Sequence, residues 1–161
     1  MKSNIMIWIA LVLVLAVAIF FALRSAKNQT AAAAEALEKG KAFLEANAKK
    51  SGVTVLPSGL QYEIIKEAEG AKPSLQSTVT THYHGTLIDG TVFDSSLDRG
   101  TPLSFPLNAV IKGWQEGIPL MSVGAKYRFF IPSDLAYGNS SMGKIAGGST
   151  LIFEVELLSF K

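Results

Sequence analysis

The sequence contains no cysteine. Disulfides, thiol catalysis and thiolate metal sites are therefore excluded, and cysteine usage identifies no compartment. It also lacks an excess of either charge: 15 basic residues stand against 13 acidic ones, a formal +2. Lys2, Arg24 and Lys27 supply three of the basic residues, so from Asn28 onward 12 basic meet 13 acidic. A nearly neutral chain without a basic stripe or arginine cluster offers no footprint for nucleic acid. Charged residues make up only 17% of the chain, against about a quarter in ordinary soluble proteins.

That shortage has one source. Ile5 to Leu23 is an unbroken run of 19 apolar residues. Without it the apolar share drops to roughly 41%, ordinary for a globular chain, so disorder, collagen-like repeats and a multi-span transporter are all excluded. As a helix the run would span about 28 Å, close to the hydrocarbon core of a bilayer. Trp8 at one end and Arg24 and Lys27 at the other suit the interfaces, and basic residues stand where a signal cleavage site should lie. The expectation is a single-pass anchor over 1–27 that binds the membrane, in preference to a cleaved signal or a buried core helix. The positive-inside count would leave the remainder in the cytoplasm, whereas a short basic tail before an apolar segment more often directs export; the outward orientation is preferred.

From Asn28 to Ala34 the chain reads as a spacer. From Glu35 to Lys50, Ala36, Leu37, Gly40, Phe43, Leu44, Asn47 and Ala48 follow an approximate 3.6 period, with Gly52 as a stop. This amphipathic helix, in a 28–52 segment, either packs on the following domain or pairs with a second copy to form a homodimer. Beyond it the pattern changes to strands over Leu60–Glu67, Val79–Leu87, Lys126–Ile131 and Thr150–Leu158. A single short helix is expected over Asn108–Glu116, capped by Asn108 and stopped at Gly117. The fold class is α+β: an antiparallel sheet burying one face against a short helix.

Several chemical signals fail. The run from Gly138 to Lys144 begins like a phosphate-binding loop, but Ile145 stands where a serine or threonine must hold magnesium. His82 and His84 share a strand face without an apparent third ligand, and read as a solvent-facing pair rather than a metal site. Asp94 and Asp98, with Ser95 and Ser96, lack the ligand density of a cation loop. No Gly-x-Ser-x-Gly elbow is present. What remains is a stock of aromatics beside turns: Tyr83, Phe93, Phe105, Trp114, Tyr137 and Phe153. By periodicity alone they suit an ordinary core as well as a site.

Their order is more specific. The stretch His82-Tyr-His-Gly-Thr-Leu-Ile-Asp-Gly-Thr-Val-Phe-Asp-Ser-Ser96 resembles the opening signature of FKBP-type peptidyl-prolyl isomerases. Val110-Ile-Lys-Gly-Trp-Gln-Glu-Gly117 is similar to the family's helix, Leu135-Ala-Tyr-Gly138 to its loop, and Thr150-Leu158 to its last strand. The resemblance covers Val53 to Lys161. Gly40-x-x-Phe43-Leu44-x-x-Asn47 and Ser58-Gly-Leu-Gln-Tyr62 resemble the lead-in of bacterial members related to the macrophage infectivity potentiator.

The resemblance implies an FKBP-like sheet over 53–161 and isomerisation of X-Pro bonds in other polypeptides, without metal or cofactor; together with the anchor expected over 1–27, folding would be assisted at a bacterial inner membrane, with the domain in the periplasm in preference to the cytoplasmic side. It implies Trp114 as the pocket floor, with Tyr83, Phe93, Phe105, Val110 and Phe153 as walls and Leu103 and Ile145 at the edge. The Ile111 N–H and the Tyr137 hydroxyl would donate hydrogen bonds, and Asp94 would hold Tyr83 and Arg99. Tacrolimus- or rapamycin-like inhibitors would share the pocket. Two departures bear on them: Leu103 stands where an aromatic is often found, and Ile145-Ala-Gly-Gly148 replaces an Ile-Pro-Pro stretch, which predicts a more mobile lip. The rival reading is a chaperone module that binds proline segments without turnover.

Overall fold

Long strands with strict two-residue alternation dominate the second half of the chain. In the computed structural model, which describes residues 2–161 and their side chains from Leu15 onward, β3 (Thr78–Leu87) and β7 (Leu151–Phe160) pair antiparallel along nearly their whole length. Val79, Thr81, Tyr83 and Gly85 of β3 and Leu151, Phe153, Val155 and Leu157 of β7 point to one buried face. Around this pair lie β1 (Val53–Val55), β2 (Gln61–Lys66), β4 (Val92–Ser95), β5 (Leu103–Pro106) and β6 (Lys126–Ile131). The sheet runs in the order β1-β2-β6-β7-β3-β4, with β5 also paired to β3. Expected and observed strands agree for β2, β3, β6 and β7 to within two residues. β1, β4 and β5 are only three or four residues long, too short to register as a period.

The short helix α2 (Lys112–Gly117) covers the buried face. Its approach is close because two glycines one turn apart face the sheet. A Cβ on Gly113 would stand 2.5 Å from Ile131, and one on Gly117 would stand 2.5 Å from Phe129. The expected helix over Asn108–Glu116 is instead divided. Leu107–Ala109 forms a 3-10 turn, and Val110 and Ile111 are extended before α2 begins. Asn108 therefore caps nothing, and the two β-branched residues, which disfavour helix, make the break. Gly117 does not stop the chain's winding either: a second 3-10 turn follows over Ile118–Leu120.

The other face of the sheet is covered at one corner by α1, a continuous helix over Lys2–Asn47; the separate spacer expected over 28–34 is part of it. Ala33, Ala36, Leu37, Gly40, Phe43, Leu44 and Asn47 are its buried or half-buried residues after Leu15, at three- and four-residue intervals. Phe43 meets Phe130 at 6.0 Å between ring centroids, which explains why Phe130 is buried although it points away from the core. Asn47 donates to Gln61 Oε1 at 2.9 Å, and Gln61 Nε2 donates to the Leu44 carbonyl at 2.9 Å. Of the two roles open to this face, the domain itself takes it up.

The membrane expectation is overturned. Among the described residues no helix is long and apolar enough to cross a bilayer, so the single-pass anchor, the membrane contact and the inner-membrane placement are not supported. The expectation rested on Ile5–Leu23, of which residues 5–14 lie outside the described side chains.

Candidate active site

β3, β4, β5, β7 and α2 converge on one cavity of about 550 Å³. Its base is Trp114 on α2, 6% exposed. Gly113, which brings α2 close to the sheet, also fixes the depth at which the indole sits. The ring is boxed by Phe153 at 4.9 Å, Phe105 at 5.2 Å and Tyr83 at 5.3 Å between centroids, with Phe93 edge-on to Phe153 at 5.2 Å. Such edge-to-face and tilted contacts make a stiff apolar wall. The Trp114 Nε1–H is buried without a partner.

Of the twelve residues singled out from the sequence, eleven line this cavity: Tyr83, Phe93, Asp94, Leu103, Phe105, Val110, Ile111, Trp114, Tyr137, Ile145 and Phe153. Arg99 does not line it but stands behind it, bonded to Tyr83 and Asp94. Ala109, Met142, Gly143 and Lys144 line it as well; none was expected at the site, and the last three stood out in the sequence only as part of the rejected phosphate-loop run. The last three belong to a loop hairpin held at its tip by the Met142–Ile145 bridge, without a periodic signal.

Polar groups sit at the rim. The Tyr83 hydroxyl donates to Asp94 Oδ2 at 2.6 Å and accepts from Arg99 Nη2 at 2.8 Å, while Arg99 Nη1 also bonds Asp94 Oδ1. Partial burial works to raise the Asp94 carboxyl, but the bonds from Tyr83 and Arg99 outweigh it and hold the pKa below the ordinary value. Burial raises the Tyr83 phenol, and the neighbouring carboxylate adds to it. Asp94 is thus an anion and Tyr83 a neutral donor across the neutral range. On the far side, Ile111 precedes α2 in an extended conformation (φ −58°, ψ 147°), so its N–H lies outside the helical ladder and is open to a ligand.

His82 and His84 are not simply solvent-facing. Both are half-buried, with Nδ1 3.0 Å from Ser96 Oγ and 2.9 Å from Ser95 Oγ respectively. They brace the end of β4 against β3 from the side opposite Tyr83. The glycines at 147 and 148 also serve a purpose other than looseness: a Cβ on Gly147 would stand 2.1 Å from the Asn139 carbonyl oxygen, a space only glycine leaves.

Residues 69–158 match the family model for FKBP-type peptidyl-prolyl cis-trans isomerase, and residues 15–64 match the model for the domain amino-terminal to it. The chain is 54% identical over 129 residues to the FKBP-type peptidyl-prolyl cis-trans isomerase FkpA of Aeromonas hydrophila, covering 80% of this chain and 48% of that protein. It is 53% identical over 124 residues to the outer membrane protein MIP of Legionella longbeachae, covering 76% and 53%. The crystal structure of FkpA from Escherichia coli superposes with a TM-score of 0.84 at 41% identity, covering 89% of this chain and 68% of that one. The chain spans about half the length of the curated relatives it matches.

Proposed function

The chain belongs to the family of FKBP-type peptidyl-prolyl cis-trans isomerases, and from that membership we propose that residues 53–161 form an isomerase domain that accelerates rotation about X-Pro bonds at the Trp114 cavity and so assists the folding of other polypeptides. The observation that carries the reading is the pairing of an aromatic-lined pocket open to solvent with a fixed carboxylate and an unused backbone donor.

Uncatalysed rotation faces a barrier of about 18–20 kcal/mol and takes tens to hundreds of seconds. The planar amide is strongly dipolar. In the twisted transition state resonance is lost, the carbonyl becomes less polar and the nitrogen pyramidal. A dry box of Trp114, Phe105, Phe153 and Phe93 around the proline ring disfavours the dipolar ground state. The Ile111 N–H and Tyr137 hydroxyl hold the peptide in register, while the Asp94 carboxylate, fixed by Tyr83 and Arg99, supplies an oriented charge beside the rotating carbonyl. Each 1.4 kcal/mol removed from the barrier multiplies the rate about tenfold.

Tacrolimus-like inhibitors would compete for the same box. For a homodimer, the exposed apolar side chains between Leu15 and Leu23 offer one surface, the face from Ala33 to Asn47 being packed on the domain.

The test is cis/trans exchange of a short X-Pro peptide, followed by NMR, with the full chain and its Asp94→Asn and Phe153→Leu variants. Acceleration by the parent, lost in folded variants, supports the isomerase. A folded parent that binds the peptide without accelerating exchange would replace it by the non-catalytic proline-binding chaperone.

A further inference from the structure

We propose that helix α1 positions the lip of the cavity, and that Gly40 and Gly148 are the positioning residues through which it acts on Ile145. The proposal rests on the isomerase reading for its functional consequence.

The lip is a tight hairpin. Met142 and Ile145 exchange both backbone hydrogen bonds at 2.8 Å, and Gly148 N–H closes its base on the Gly138 carbonyl at 2.7 Å. Its inner side presents Met142, Lys144 and Ile145 to the cavity. Its outer side lies against α1. There Gly148 adopts φ +76°, and a Cβ on it would stand 2.3 Å from the Ala33 carbonyl oxygen and 3.1 Å from the Leu37 nitrogen. Two turns further along α1 the relation is reversed: a Cβ on Gly40 would stand 2.4 Å from Thr150 Oγ1. Loop and helix thus each contribute a glycine to a backbone-close seat, on the same α1 face that Asn47 and Gln61 pin to β2.

The seat is also narrow. Beside it runs a second cavity of about 500 Å³ between Ala32, Ala36, Leu87, Asp89 and Ala146, so the helix stands off the β3–β4 turn and touches the lip where the glycines allow. Only two residues separate Gly148 from Ile145, which is 6% exposed. A displacement of α1 at this seat therefore has no soft element in which to dissipate before it reaches the pocket edge.

The experiment uses the full chain with Gly148→Ala, Gly40→Ala, Thr150→Ala and the Gly40→Ala/Thr150→Ala pair. It reads amide shifts of Met142–Ile145, the Kd of a short X-Pro peptide by NMR titration, and KM and kcat for its exchange. Gly148→Ala and Gly40→Ala are expected to move the lip amides and raise Kd and KM about three- to tenfold, with kcat within about twofold of the parent. Thr150→Ala should behave as the parent, and the double variant should regain parental Kd because the obstructing hydroxyl is gone. Unmoved lip amides in folded Gly40→Ala, or a weakened Kd that the double variant does not restore, would overturn the proposal. Should Gly148→Ala fail to fold, the Gly40/Thr150 pair decides alone. A parent without exchange activity would sink the isomerase reading instead, leaving the amide shifts to report on the seat.

Discussion

The Tyr83 hydroxyl donates a 2.6 Å hydrogen bond to Asp94 Oδ2 across the β3–β4 pair, and Arg99 bonds both partners from outside the cavity. The carboxylate is held at a rim that it could not keep alone. Asp94 and Arg99 are each nearly half exposed, so solvent screens their pairing and it contributes little stability. Asp94→Asn should leave the melting temperature nearly unchanged while lowering kcat/KM about tenfold, the loss of one oriented charge. Tyr83→Phe keeps the Arg99–Asp94 pair and should cost less activity. Peptide exchange kinetics beside thermal denaturation separate the two, and equal losses would place the role on the phenol.

The same network fixes the sign of the pH response. Asp94 is lowered in the fold, so its stabilisation is present above the unfolded value near about 4 and is lost as pH falls through the lower folded value. Tyr83 is raised, so its contribution is complete below about 10 and is lost as pH rises through the higher folded value. Between these limits neither group titrates. Urea midpoints of the parent and Asp94→Asn, measured from pH 7 down to pH 2, should differ by no more than a small gap, in keeping with the exposure of the pair, and that gap should close below about pH 4.

Gly85 on β3 lies beneath two walls of the box. A Cβ there would stand 2.7 Å from the nearest ring carbons of Phe153 and Phe93, and those rings meet edge to face. Gly85→Ala should therefore push both walls toward the cavity, raising peptide Kd severalfold and costing about 1–3 kcal/mol as an overpacked core does. Peptide titration and denaturant unfolding test this, and an unchanged Kd would mean that the rings have room to retreat.

The sequence was legible where period and burial coincide. β3 and β7 each carry one buried face, β6 does so up to Phe130, which α1 covers from the other side, and the α1 face from Ala36 to Asn47 appeared because the domain covers that stripe and no other. Phe93, Asp94, Leu103 and Phe105 could be assigned to the site only by resemblance, since β4 and β5 are four residues each and too short to show alternation. The break at Val110–Ile111 was hidden because apolar residues continue through it at near-helical spacing. Lys144 and Met142 reach the cavity through a hairpin whose shape depends on Gly147 and Gly148 fitting against Asn139 and Ala33, long-range contacts that no local pattern encodes. The membrane expectation failed differently: it rested on hydropathy over Ile5–Leu23, and among the described residues no helix is long and apolar enough to cross a bilayer.

The cavity floor gives the sharpest contrast between shape and polarity. Trp114 is 6% exposed, meets three other rings, and carries an Nε1–H without an acceptor. Trp114→Ala removes the ring and leaves a hole, at a cost of about 3–5 kcal/mol, and should abolish isomerase activity with the floor. Trp114→Phe also loses ring area, but it removes a buried unsatisfied donor that costs about 1–3 kcal/mol. The two changes offset, so this variant should unfold within about 1 kcal/mol of the parent and retain activity within about tenfold. Chemical denaturation with exchange kinetics on both variants checks the balance. A Trp114→Phe loss as large as that of Trp114→Ala would mean that the indole N–H has an acceptor in solution, and would make it a binding donor as well as a floor.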